Sequence, residues 1–167
     1  MKEIDKEEYK FIIRDIEANE EFNKIKSIVH HGLNRYDHSK RVSYYSYKIA
    51  KKLGLSYEEV ARAGLLHDFF LVDNHDINIS ERANTMINHP KYALFYSEKF
   101  FNLTDKEKDI IVTHMFPVCP TRVPKYAESW LVNIVDDVVS IGEEIYIKKN
   151  KLINYANFIF IFLFNIF

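Results

Sequence analysis

The chain is poor in the residues that staple or break a fold. Cys119 is its only cysteine. No internal disulfide can form, and a reducing cytosol is the compartment expected for such a chain. Four glycines and four prolines are few for 167 residues, which argues against many short strands and favours long helices. The formal net charge is −1, so there is no field of one sign to hold a nucleic acid or another polyanion. The first eight residues, Met1 to Glu8, are densely charged and contain no apolar signal-peptide core. An apolar share of 47% is too high for wholesale disorder, and the length suits one domain with a core of its own.

Helical spacing dominates what is present. Ile12, Ile13, Ile16, Phe22, Ile25 and Ile28 read as one or two amphipathic helices between about Lys6 and Val29. Gly32 and Asn34 suggest a break. Asp37 is expected to cap a helix that runs to about Leu53 and ends at Gly54, with His38, Val42, Tyr45 and Ile49 on one face. Ser56 with Glu59, and Thr104 with Glu107, read as capping boxes. The first would open a helix carrying Val60, Ala63, Gly64 and His67. The second would open one carrying Ile110, Ile111 and His114. The polar stretch Asp73 to Thr85 reads as a loop, and Pro90 as the first residue of a helix beginning just after His89. Pro117, Pro120 and Pro124 enforce an irregular segment. A last helix is expected from Tyr126 to Ile147.

The fold expected is all-α, a helical bundle over residues 36–147, preceded by a helical segment at 1–35. It is followed by an apolar tail at 148–167. The most apolar part of that tail, Phe158 to Phe167, is too short to span a bilayer. It is expected to dock on the domain or in a dimer interface. Lys148, Lys149 and Lys151 ahead of aromatic residues leave a membrane-surface anchor open.

The chemistry begins with polar residues on apolar faces. On a helix, Asp136 shares its face with Val132 and Val139, whereas Asp137 shares its face with Asn133 and Ser140. Asp136 therefore points inward and Asp137 toward water. By the same test His114 follows Ile110 and Ile111, His67 follows Ala63 and Gly64, and Asp68 follows Gly64 and Leu65. One inward histidine is ordinarily a hydrogen-bonded core residue. Several inward histidines with two inward carboxylates are hard to satisfy without a cation. A set of four imidazoles and two carboxylates is too rich in nitrogen for calcium or magnesium, and it lacks the sulfur of a structural zinc site. Iron or manganese suits it, and zinc is possible. Six ligands exceed one tetrahedral shell, so two divalent ions fit better than one.

His38, the pair His67-Asp68, then His89, His114 and Asp136, in this order and in contexts such as Gly64-Leu65-Leu66-His67-Asp68 and Ile134-Val135-Asp136, resemble the HD superfamily over roughly Tyr36 to Ser140. The resemblance implies that His38, His67, Asp68 and Asp136 hold a first metal. It implies that Asp68 bridges to a second metal held also by His89 and His114. The two middle histidines point to the dinuclear branch. The implied activity is hydrolysis of a nucleotide or other small phosphate ester by a metal-bridging hydroxide, with Asp68 the central catalytic residue.

Two departures stand out. Many dinuclear members read His-Asp-Ile-Gly-Lys, and here Leu71 occupies the lysine position. The Gly-Tyr-Pro motif of cyclic-di-GMP phosphodiesterases is missing. Arg41, Arg122 and Lys125 are the substitute phosphate ligands expected, with Lys91 a fourth candidate. Two other readings remain open: a di-iron oxygenase with the same ligand set, and a catalytically weak metal-binding interaction module. His30, His31 and His75 lie outside the set. Cys119, between prolines and close to His114 in sequence, leaves a thiol ligand open.

Overall fold

A computed structural model describes residues 3–30, 33–71 and 79–164. Seven α-helices are present among them: α1 (Glu3–Glu17), α2 (Glu20–Asn23), α3 (Arg35–Leu53), α4 (Tyr57–Leu66), α5 (Ile79–Phe100), α6 (Asp105–Thr113) and α7 (Ala127–Phe164). Two-residue strands β1 (Val29–His30) and β2 (Leu33–Asn34) pair antiparallel ahead of α3. The architecture is the expected all-α bundle.

α4 is the axis of the bundle. Val60, Ala61, Ala63, Gly64, Leu65 and Leu66 are all buried, and a helix apolar on nearly every side belongs at the centre. Around it pack Tyr9, Ile13 and Ile16 of α1, Val42 and Tyr47 of α3, Ile110 and Ile111 of α6, and Val132 and Val139 of α7. Phe69, just beyond α4, meets Phe22, Tyr96, Phe100 and Phe101 edge-on or tilted.

Several boundaries differ from those read from sequence. The cap of α3 is Asn34, whose side chain accepts from the Asp37 backbone N–H, so α3 starts before Asp37. Gly54 ends it at φ 69°, as expected of a left-handed cap. Ser56 makes no capping bond to α4. Its hydroxyl accepts from Lys106, and Glu59 is drawn to Thr104 and Lys106. The Thr104–Glu107 box does form. α5 begins at Ile79, so the back of the expected Asp73–Thr85 loop is helical, while 72–78 lie outside the described residues. Pro90 sits inside α5 and does not open it. α7 runs past Ile147 without a break; the side chains of 154–167, on which the tail's docking rests, are outside the described residues. Among the described residues no helix is long and apolar enough to cross a membrane.

Gly64 sets the closest approach in the bundle. A Cβ there would lie 3.0 Å from Ser43 Cα and 3.4 Å from Ser43 N. These are backbone atoms of α3, which cannot swing away. Ser43 Oγ donates to Ala61 O at 2.6 Å and accepts from Tyr9 Oη at 2.8 Å, fastening the two helices at that point. Gly64→Ala gains about 1 kcal/mol of helix propensity but overpacks a backbone contact at a cost of roughly 1–3 kcal/mol. The net expected is a loss of stability of about 1 kcal/mol, seen as a lower urea midpoint at constant slope; an increase would mean that α3 yields freely.

Candidate metal centre

Three helices and the ends of two others bring the six expected residues together. His38 lies near the start of α3. His67 caps the C-terminus of α4, with Asp68 next to it. His89 is in mid-α5, His114 caps the C-terminus of α6, and Asp136 is on α7. All six are buried. Their ligand atoms form three overlapping groups that could each hold an ion: His38, His67 and Asp68; His67, His114 and Asp136; and Asp68, His89 and His114.

Each imidazole is oriented through its outer nitrogen. His67 Nδ1 donates to Gly64 O at 2.8 Å, His89 Nδ1 to Met86 O at 2.7 Å, and His114 Nδ1 to Ile111 O at 2.7 Å. The carbonyl is three residues back each time, at a place where helical donors run short. His67 and His114 stand at helix ends, where the last carbonyls lack amide partners. At His89 the shortage is made by Pro90, which has no N–H to give to Met86 O, and the histidine supplies the bond. His38 Nδ1 donates to Glu143 Oε2 at 3.0 Å. Carbonyls and carboxylates only accept, so each Nδ1 carries a proton, and a ring that is otherwise neutral presents the lone pair of Nε2.

The four Nε2 atoms converge on the two carboxylates. His38 Nε2 is 2.9 Å from Asp136 Oδ1, and His67 Nε2 is 3.7 Å from the same oxygen. Asp68 divides its oxygens: Oδ2 lies 3.9 Å from His67 Nε2, whereas Oδ1 lies 3.3 Å from His89 Nε2 and 3.8 Å from His114 Nε2. His89 Nε2 and His114 Nε2 face each other at 2.8 Å. His67 Nε2 is buried with no hydrogen-bond partner. A buried cluster of acceptors with so few donors is what a cation would complete.

The protonation energetics divide the cluster in two. Burial drives His114 down to about 3, reinforced by the nearby His89 and His67 rings. Burial also lowers His89. For His38 burial is outweighed by its bonds to Asp136 and Glu143, which raise it to about 10. His67 is raised, against burial, by Asp68 and Asp136. Asp136, despite burial, is held below the usual carboxylate range by His67 and His38. The His89–His114 side therefore resists protons while its lone pairs face each other.

The metal-free chain should consequently be most stable near pH 6.5. His114 and His89 are depressed, so the stability they contribute is full above the ordinary histidine value and is lost as pH falls from there toward 3. His38 is raised, so its contribution is full below 6.5 and is lost as pH rises toward 10. Melts of the chelated protein across pH 4–9 would check this, and a flat profile would refute it.

The face test separated the two aspartates correctly: Asp136 is buried and Asp137 exposed. Asn133 does not face water as its pairing with Asp137 implied. It is buried, and its Nδ2 donates to His114 O at 2.5 Å and Phe116 O at 2.6 Å, tying α7 to the end of α6. Of the expected phosphate ligands, Arg41 donates to Glu143 Oε1 at 2.6 Å, Lys125 is exposed, and Arg122 keeps a buried Nη1 without a hydrogen-bond partner. Lys91 is exposed and Leu71 packs against the core. Cys119 is buried, its Sγ donating to Ile87 O at 3.3 Å. His31 and His75 lie outside the described residues.

Two contributors went unread in the sequence. Glu143 is one: it lies seven residues after Asp136 and four after Val139, so the same face test extended by two turns would have found it. Phe70 is the other. Its ring stacks on His89 at 5.3 Å between centroids, and the Arg35 guanidinium lies over the same ring, 3.7 Å from its centroid. No spacing rule signals it. A model of the HD domain family matches residues 35–138, a span that contains all six convergent residues and stops short of Glu143. No curated protein and no solved structure matches the chain.

Proposed function

The chain belongs to the HD domain family, and on that premise we propose that it is a metal-dependent phosphohydrolase acting on a nucleotide or other small phosphate ester. One observation carries this reading: four buried Nε2 atoms, on rings each fixed by a bond at Nδ1, converge with Asp68 and Asp136, and Asp68 turns one oxygen to each side. In this proposal His38, His67, Asp68 and Asp136 hold a first divalent ion, and Asp68, His89 and His114 a second. Iron or manganese suits such a donor set, and zinc is acceptable. Such ions supply Lewis acidity toward a phosphoryl oxygen and make a nucleophile from water at neutral pH.

The protein's own part is orientation and shielding. Phe70 covers one face of His89. The unpartnered Nη1 of Arg122 is the proposed contact for a remaining phosphate oxygen. Arg41 is already committed to Glu143, and Leu71 is packed where a lysine would meet phosphate. These two facts favour, as the second reading, a di-iron oxygenase.

Anaerobic purification with metal analysis, followed by a screen of phosphomonoesters, phosphodiesters and phosphoanhydrides with manganese and iron, tests both. Two metals per chain with release of phosphate or a nucleotide supports the hydrolase. Bound iron, oxygen consumption and no turnover of any phosphate ester would replace it with the oxygenase.

A further inference from the structure

We propose that the outer face of α7 is the seam of a parallel, two-fold homodimer. α7 has 38 residues, about 57 Å of helix at 1.5 Å per residue. Its inner face is used up by Val132, Val135, Asp136, Val139 and Glu143, all buried. On the outer face Ile134, Val138, Ile141 and Ile145 are each more than half exposed, and so is Leu152. They are separated by four, three and four residues, and Leu152 follows Ile145 by seven. These are the spacings of the apolar seam in a coiled coil. Val138 and Ile145, seven residues apart, occupy equivalent positions on the stripe. One polar residue, Lys148, falls on the stripe, and such a residue is tolerated where it fixes register.

Beside the stripe, between α3 and α7, lies an open groove of about 760 Å³ walled by Tyr45, Ile49 and Leu131. The face that His38 and Val42 begin on α3 thus emerges into this groove at Tyr45 and Ile49, which are exposed.

Charge selects the occupant and its direction. The far edge of the stripe is acidic, with Asp137 and Glu144 each one residue before Val138 and Ile145. The near edge, across the groove, is basic, with Lys48 and Lys52 on α3. α3 runs antiparallel to α7: Arg41 meets Glu143, and Ser56, just past the end of α3, meets Glu128. Lys48 lies between these two points on α3, as Asp137 does on α7. A two-fold axis parallel to α7 places the basic edge of one copy against the acidic edge of the other at matching height, Lys48 toward Asp137. It also places Glu144 opposite Lys149 of the second copy. An antiparallel arrangement opposes acid to acid and base to base. An anionic bilayer would be repelled by the acidic edge.

The full-length chain tests this by sedimentation velocity at micromolar concentration, where a dimer is expected. Val138→Glu with Ile145→Glu should yield a monomer with unchanged circular dichroism and metal content. Lys48→Glu alone and Asp137→Lys alone should each weaken the dimer, and the two together should restore it. Ile134→Cys and Ile141→Cys, made singly, should both give disulfide-linked dimers under mild oxidation, Cys119 being buried. A monomeric wild type, a dimer indifferent to the Val138/Ile145 pair, or cross-linking at only one of the two cysteine positions would overturn the proposal. So would flotation of a monomeric chain with phosphatidylcholine–phosphatidylglycerol vesicles.

Discussion

Asp68→Ala is expected to release both metals and reduce turnover to background, whereas His89→Ala should empty mainly one position. The difference follows from which oxygens face which rings. Asp68 Oδ2 lies 3.9 Å from His67 Nε2, and Oδ1 lies 3.3 Å from His89 Nε2 and 3.8 Å from His114 Nε2. Asp136 Oδ1 lies closest to the His38 and His67 side, and its approach to His114 is looser, within 4.8 Å. Losing Asp68 removes negative charge from both halves of a buried, nitrogen-rich site, and with it the element that would hold two ions close enough to act on one water. His89, whose Nε2 is paired with His114, belongs to one half only. Metal stoichiometry and turnover of both variants, with folding verified by circular dichroism, decide the matter. An Asp68→Ala protein that keeps two metals and normal rates would end the dinuclear reading. Asp68→Asn keeps the shape and removes the charge, so it separates electrostatics from packing.

Asp136 was legible because helical periodicity puts it beside Val132 and Val139, and burial of an apolar face is what periodicity reports. The Thr104–Glu107 box was legible because both of its bonds are local. Ser56–Glu59 has the same spacing, yet Lys106 and Thr104, some fifty residues on, outcompete it for both side chains. Long-range partners are invisible to a four-residue motif. The start of α5 was misread for a related reason. Pro90 is normally a first-turn residue, but here the hydrogen bond it cannot make is supplied by the side chain before it. The substitution of His89 Nδ1 for a backbone amide keeps the helix intact, and the same bond aims Nε2 at the cluster. A helix interruption and a candidate ligand are thus one feature, and neither can be read separately from the string of letters.

The same economy runs through His67 and His114, which take a carbonyl three residues back at the ends of α4 and α6. Three of the four rings are therefore oriented by the backbone of their own helix, and their aim survives substitution of distant side chains. His38 differs. Its orienting partner is a side chain on another helix, Glu143, beyond the region that the family match covers. That makes Glu143 the sensitive point of the first metal position.

Glu143→Ala is expected to weaken metal binding at the His38 position by about 10–100-fold, the usual cost of losing a partner behind a metal-bound imidazole. Glu143 is buried and uses both oxygens: Oε2 accepts from His38 Nδ1 at 3.0 Å, and Oε1 accepts from Arg41 Nη1 at 2.6 Å. Burial opposes its charge, but His38 and Arg41 hold its carboxyl below the ordinary value, so it is ionised at neutral pH. An ionised acceptor at Nδ1 fixes the tautomer of His38, leaves the lone pair on Nε2, and makes that nitrogen a stronger donor to a cation. Alanine removes all three effects and leaves the Nδ1–H without its carboxylate. Glutamine keeps an acceptor for His38 but loses the charge, so its affinity should fall between those of alanine and wild type. Arg41→Ala removes the anchor on the far side of the carboxylate and should produce a smaller loss. Competition against a chelator of known strength, reading the tight and weak positions separately, gives the answer without requiring a substrate. If Glu143→Ala binds both metals as wild type does while its melting temperature drops, the residue only packs α7 against α3.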